Sequence, residues 1–116
     1  MLAQLAILFV ALEHLGILVL EMFLWTKPIG RRIFGLSKEL AESSKVLAAN
    51  QGLYNGFLAA GLIWSLYEGI HAQTFFLICV IMAGIFGAIT AKHSILWFQA
   101  MPAAIALALV WLAYGS

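Results

Sequence analysis

Long apolar runs alternate with short polar breaks along the chain. Four runs are long enough to cross a bilayer, at about Leu2–Trp25, Val46–Tyr67, Gln73–Ala91 and Ile95–Tyr114. A spanning helix needs roughly 20 apolar residues. The runs are continuous rather than alternating every second residue, which predicts helices and argues against a β-barrel. The breaks are unequal: a polar segment over Thr26–Lys45, then tight turns at Glu68–Ala72 and Lys92–Ser94. Short turns make consecutive helices antiparallel neighbours. The pattern therefore predicts an all-α polytopic membrane protein, four transmembrane helices in an antiparallel bundle forming one domain over residues 1–116. Within the first break, Ile33, Phe34, Leu36 and Leu40 punctuate the charged residues, as in a short helix lying among the headgroups. Ser37 is placed to cap its start, and Ser43 or Ser44 to cap the second span.

Composition removes several classes. Of 116 residues, 65% are hydrophobic and 9% charged, and the mean hydropathy is +1.05. Soluble domains are about half apolar and about a quarter charged, so an ordinary soluble protein, a disordered tail and a nucleic-acid binder are excluded. The single cysteine, Cys79, has no partner for an internal bridge and no zinc-type spacing. The amino terminus lacks a basic stretch and Glu13-His14 interrupts its apolar run, so it does not read as a cleavable signal. The net charge of +1 is uninformative, but its distribution is not. Lys27, Arg31, Arg32, Lys38 and Lys45 lie in the first connection and Lys92 in the third. In a four-span chain these connections share one face, and the positive-inside rule puts that face in the cytoplasm with both termini outside. Trp25, Trp64, Trp97, Trp111, Tyr67 and Tyr114 fall near span ends, as an aromatic belt would.

The informative residues are polar ones inside the runs. The first carries Glu13, His14 and Glu21, the second Asn50, Gln51, Tyr54 and Asn55, and the fourth Gln99. A charge at mid-membrane costs about 2.5–3.5 kcal/mol on insertion scales, so such groups face a protein interior or a watered cavity. At about 100° per residue, His14 and Glu21 share one helix face, with Glu13 on its flank. At 1.5 Å per residue, Glu21, Gln51 and Gln99 lie roughly 6–8 Å from the cytoplasmic boundary. Asn55 lies about 14 Å in, and Glu13 and His14 about 17–18 Å. The expectation is a polar cleft open to the cytoplasm, with Glu13 and His14 near its floor, suited to proton relay or general acid–base work. The competing reading is an interhelical hydrogen-bond network that only holds the helices together.

Small residues mark close approach. Gly52, Gly56 and Ala60 recur every fourth residue, as do Ala83, Gly87 and Ala91, within the chain or between subunits. Pro102 predicts a bend in the fourth span. His71 and His93 lie in turns on opposite membrane faces, and the acids lack the Glu-x-x-His spacing of di-iron bundles, so no metal site is predicted. Nor is any cofactor predicted: His14 has no second axial ligand for haem, and no Ser-His-Asp order, phosphate loop or nucleotide fingerprint is present.

Two stretches carry a resemblance. Glu13-His14 followed by Glu21-Met22-Phe23 and Trp25, and Asn50-Gln51-Gly52 followed by Tyr54-Asn55-Gly56, resemble the domain of unknown function 1304 family of small bacterial membrane proteins. The later AGIFGA of the third span fits as well, so the likeness covers most of the chain. It implies a four-helix integral protein of the bacterial inner membrane and carries no activity with it. Small multidrug transporters share the length, four spans and a first-span glutamate, a likeness of shape alone. Three functions remain open. The leading one is binding or transport of a small polar or cationic ligand coupled to protonation, in the bilayer and favouring a dimer, since four short helices leave little room for alternating access. The others are a membrane enzyme performing acid–base chemistry on a lipid-soluble substrate, and an accessory structural subunit.

Overall fold

The computed structural model describes residues 1–115, which are almost entirely helical. The elements are α1 (Leu2–Met22), α2 (Pro28–Phe34), α3 (Lys38–Glu68), α4 (Ile70–Thr90) and α5 (Met101–Gly115), the last entered through a π-helical turn at Leu96–Ala100. Three stretches, Leu2–Met22, Ile70–Thr90 and Leu96–Gly115, are long and apolar enough to cross a membrane. The longest helix, α3, is not one of them: it runs for 31 residues, but charges fill its first turns and amides follow.

The first connection departs from expectation. Its short helix is α2, with Pro28 in the first turn and Gly35 closing it in the left-handed region at φ 66°. Ser37 instead caps α3, its hydroxyl accepting the Leu40 N–H at 3.1 Å. Ser43 and Ser44 cap nothing. They sit inside α3, and both hydroxyls donate back to the Leu40 carbonyl, at 3.1 and 2.6 Å. Between Lys38 and Gln51 the chain has neither glycine nor proline, so nothing stops the helix where polarity changes. The change from polar to apolar residues therefore does not mark where this helix begins.

The chain divides into two compact units, with α1 and α3 each passing from one to the other. The first unit is Met1–Leu12 with Leu58–Ser116. Its hydrophobic core is Ile7, Val10 and Ala11 of α1, Leu62 of α3, Leu77 and Val80 of α4, and Ala103, Ala106 and Val110 of α5. The one polar side chain buried in this unit among the described residues is Ser65, whose hydroxyl donates to the Leu62 carbonyl at 2.5 Å. The turn from α3 to α4 shrinks to Gly69, whose φ of 110° suits only glycine. Across it Gln73 donates to the Ser65 carbonyl at 3.2 Å. α4 and α5 run antiparallel, since Trp111 donates to Thr74 at 3.0 Å near one end while Gly84 meets Ala100 towards the other. At Gly84 the approach is backbone to backbone: a Cβ there would lie 2.7 Å from the Ala100 nitrogen. The bend expected at Pro102 is preceded by the π turn, in which Met101 donates to the Leu96 carbonyl five residues back. Proline lacks an N–H and crowds the carbonyl four residues earlier, and one widened turn ahead of it absorbs that misfit.

The second unit is Glu13–Phe57: the latter part of α1, all of α2 and the charged beginning of α3. Here α1 and α3 are antiparallel, with Gly52 against Met22 and Gly56, one turn on, against Leu18. Gly52 and Gly56 thus serve packing within the chain. Beyond the end of α1, Trp25 braces the connection. Its indole N–H donates to Ser44 at 3.0 Å, and its ring lies 4.8 Å from that of Phe34.

Candidate functional site

Most of the ionisable and amide groups singled out above belong to the second unit. His14 is fully buried, with no accessible surface. Beside it, near the middle of α1, Glu13 is half-buried, and its Oε1 is buried without a hydrogen-bond partner. An unmatched carboxylate oxygen out of water forfeits hydration and gains nothing in return. Two turns further along α1, Glu21 is matched. The Asn55 side-chain amide donates to its Oε1 at 2.7 Å and also reaches the Gln51 carbonyl at 3.2 Å.

That bond exists because α1 and α3 come close. A Cβ on Gly52 would lie 2.5 Å from Met22 Cγ and 3.2 Å from the Leu18 carbonyl oxygen. A Cβ on Gly56 would lie 2.7 Å from Leu18 Cδ1. At 100° per residue Asn55 is about 60° from Gly52, on the flank of the packed stripe, so its short side chain reaches across to Glu21. Asn50 and Tyr54 are each about 160° away from Gly52 and point outward. Both are exposed, as is Gln51, and Tyr54 rests edge-on against Phe57 at 5.8 Å. Of the four polar residues predicted on this helix, one joins an acid of α1 and three do not.

Gln99 lies in the first unit, half-buried within the π turn. Ala60, Ala83 and Ala91 are exposed, whereas Gly87 is half-buried with Ile95 Cγ2 3.1 Å from where its Cβ would be. The packed small residues of α4 are Gly84 and Ala88, in line with buried Leu77 and Val80. Spacing alone does not select that register: Gly84 and Ala88 are four apart, as are Ala83 and Gly87, and the branched Ile78, Ile85 and Ile89 of α4 are exposed. His93 is exposed in its connection, whereas His71, expected in a turn, is exposed in the first turn of α4 because the turn shrinks to Gly69. Among the described residues, no group of three or more His, Cys, Asp or Glu gathers to hold a metal ion.

A recess of about 320 Å3 opens at the end of α1 in the second unit, lined by Glu21, Met22, Trp25, Thr26, Lys45 and Val46 among others. Sequence reasoning placed Trp25 in an aromatic belt and Lys45 among the topology-setting cations. Their sharing a wall with Glu21 follows from α3 running on past the end of α1. Lys45 is ion-paired with Glu42 on its own helix. The Arg31 Nε is buried without a hydrogen-bond partner.

Three hydrocarbon-length apolar helices, together with acids and a buried histidine within one of them, define an all-helical protein of membrane-spanning character. The chain belongs to the family described as protein of unknown function (DUF1304), whose profile matches residues 8–111. It is similar to the Uncharacterized protein YpaA of Lactococcus lactis subsp. lactis (strain IL1403), 34% identical over 105 residues that cover 86% of this chain and 88% of that protein. No solved structure matches the chain.

Proposed function

We propose that this is a four-span protein of the bacterial cytoplasmic membrane that binds and carries a small polar or cationic ligand, coupled to protonation at Glu13. Support for the fourth span comes from the α3–α4 hairpin. The single-residue turn at Gly69 sends α4 straight back along α3, with the Phe76 ring occupying the space a Gly61 side chain would need. A hydrocarbon-length α4 then requires its partner to traverse the same depth. At 1.5 Å per residue α3 is about 46 Å long, against a hydrocarbon thickness of about 30 Å, so it spans and still projects into the headgroups. Charge agrees. If α3 crosses, all six Lys and Arg residues share one face, which the positive-inside rule makes cytoplasmic with both termini outside.

The observation that carries the functional reading is the buried, unpartnered Oε1 of Glu13 beside fully buried His14. A stabilising element would have its acid matched, as Glu21 is by Asn55. An acid left unmatched within a span is suited to taking up a proton or a ligand. Transport then proceeds by competition: a cation arriving from the cytoplasm displaces the proton on Glu13, and the proton's return releases it. A dimer gives such short helices room for the two access states. The test is an exchange assay in reconstituted vesicles, with an imposed gradient of benzyltrimethylammonium as the probe and a pH-sensitive dye inside. Wild-type protein should move protons against the probe, and Glu13→Gln should abolish that movement. Full, pH-dependent flux in the Glu13→Gln protein would defeat the reading.

A further inference from the structure

We propose that the recess at the end of α1 is the cytoplasmic entry subsite and that it selects organic ammonium ions, a cationic nitrogen carrying apolar groups. The inference rests on the function proposed above and narrows its ligand class. The recess holds one carboxylate, Glu21, fixed in place by the Asn55 amide at 2.7 Å. Beside it stands an aromatic wall, Trp25, fixed by Ser44 on one side and Phe34 on another. A carboxylate and an indole held in advance are what an ammonium uses, the first through charge and the second through its negative ring face. Met22, Phe23, Val46 and Ala49 supply apolar lining that suits the apolar substituents.

Other ligand classes fit less well. A bare metal ion would find a single acid here and no supporting His or Cys, for no such group gathers among the described residues. An anion would meet Glu21. A neutral apolar molecule would make no use of that carboxylate's charge. The one opposing charge is Lys45, which also lines the recess, but its ammonium is paired with Glu42 one turn away. The pair cancels and Glu21 sets the sign. A volume of about 320 Å3 accommodates an ion the size of benzyltrimethylammonium, close to the lower end of small-molecule sites, about 300–1,000 Å3.

The ammonium has two sources, a free amphiphilic cation or the headgroup of a phospholipid, and equilibrium binding distinguishes them. The purified protein in phosphatidylglycerol nanodiscs is titrated with benzyltrimethylammonium and with neopentylbenzene, its uncharged isostere. The cation should bind at least tenfold more tightly. Glu21→Gln should remove that preference, Glu21→Asp should retain part of it, and Glu42→Gln, which frees the Lys45 charge, should weaken cation binding about threefold. Glu42 is exposed and outside the recess, so that variant reports on charge even if Glu21→Gln fails to fold. Nanodiscs containing phosphatidylethanolamine separate the sources: competition with the probe identifies a headgroup, and its absence a free cation. Equal binding of cation and isostere, or a preference that survives both Glu21→Gln and Glu42→Gln, would overturn the proposal. Because binding is read without a gradient, Glu13-dependent flux with no Glu21-dependent binding would refute the subsite alone. Glu21-dependent binding with no Glu13-dependent flux would refute the transport reading alone.

Discussion

Two glycine-lined contacts, one within each compact unit, use small residues differently. In the first, Gly84 brings the α4 backbone against that of Ala100. In the second, Gly52 and Gly56 admit the side chains of Met22 and Leu18, and the polar pair Glu21–Asn55 forms on the flank of that contact. A backbone cannot step aside, whereas a methionine can adopt another rotamer. The α4–α5 contact at Gly84 is therefore stiff, and the α1–α3 contact beside Glu21 has more give. Under the proposed function, a yielding contact beside Glu21 suits a site that admits and releases a ligand.

Substitutions can break the contrast or sharpen it. The largest effect is expected for Gly84→Val, which drives two methyl groups into the Ala100 backbone. It should destabilise by about 3 kcal/mol, at the upper end of overpacking costs, read as the midpoint of denaturant unfolding of the purified protein. Gly69→Ala comes next, at about 2 kcal/mol, because φ 110° with ψ −164° strains any residue bearing a Cβ. In the second unit Asn55→Leu should cost about 1.5 kcal/mol, the worth of a hydrogen bond to a charged group. Gly52→Ala, which displaces the Met22 side chain and presses more lightly on Glu21 Cβ and the Leu18 carbonyl, both at 3.2 Å, should cost about 1 kcal/mol. Should Gly52→Ala and Gly84→Ala prove equally damaging in the same assay, the distinction between the stiff α4–α5 contact and the more yielding α1–α3 contact is lost. The smallest effect, about 0.5 kcal/mol, is expected for Ser44→Ala, which removes one partly exposed hydrogen bond to Trp25. Its clearer signature is a red-shifted indole emission as the brace loosens.

Much of the architecture was legible from residues alone. Hydropathy along a chain records how each segment partitions between water and hydrocarbon, and that quantity is local. It gave the apolar stretches now seen as α1, α4 and Leu96–Gly115, and the uneven spread of cations. It misplaced the beginning of α3 because helix propensity and hydrophobicity are separate properties, and Lys38–Lys45 has the first without the second. The α4 ridge was misaligned by one residue for another reason. Ala83, Gly87 and Ala91 satisfy the same spacing rule as Gly84 and Ala88, and only the facing helix distinguishes the two stripes.

The site divides the same way. That Glu13, His14 and Glu21 are out of place in an apolar run follows from the solvation cost of each residue taken singly, which the amino-acid order states without reference to any neighbour. Which of them is matched and which is left bare follows from azimuth and separation between helices. Asn55 reaches Glu21 while Asn50 and Tyr54 face away, because two glycines fix which side of α3 meets α1. Lys45 and Trp25 share a recess with Glu21 because α3 outruns α1. Solvation is a property of residues and matching is a property of pairs, so the first is written in the chain and the second is settled only when the helices pack.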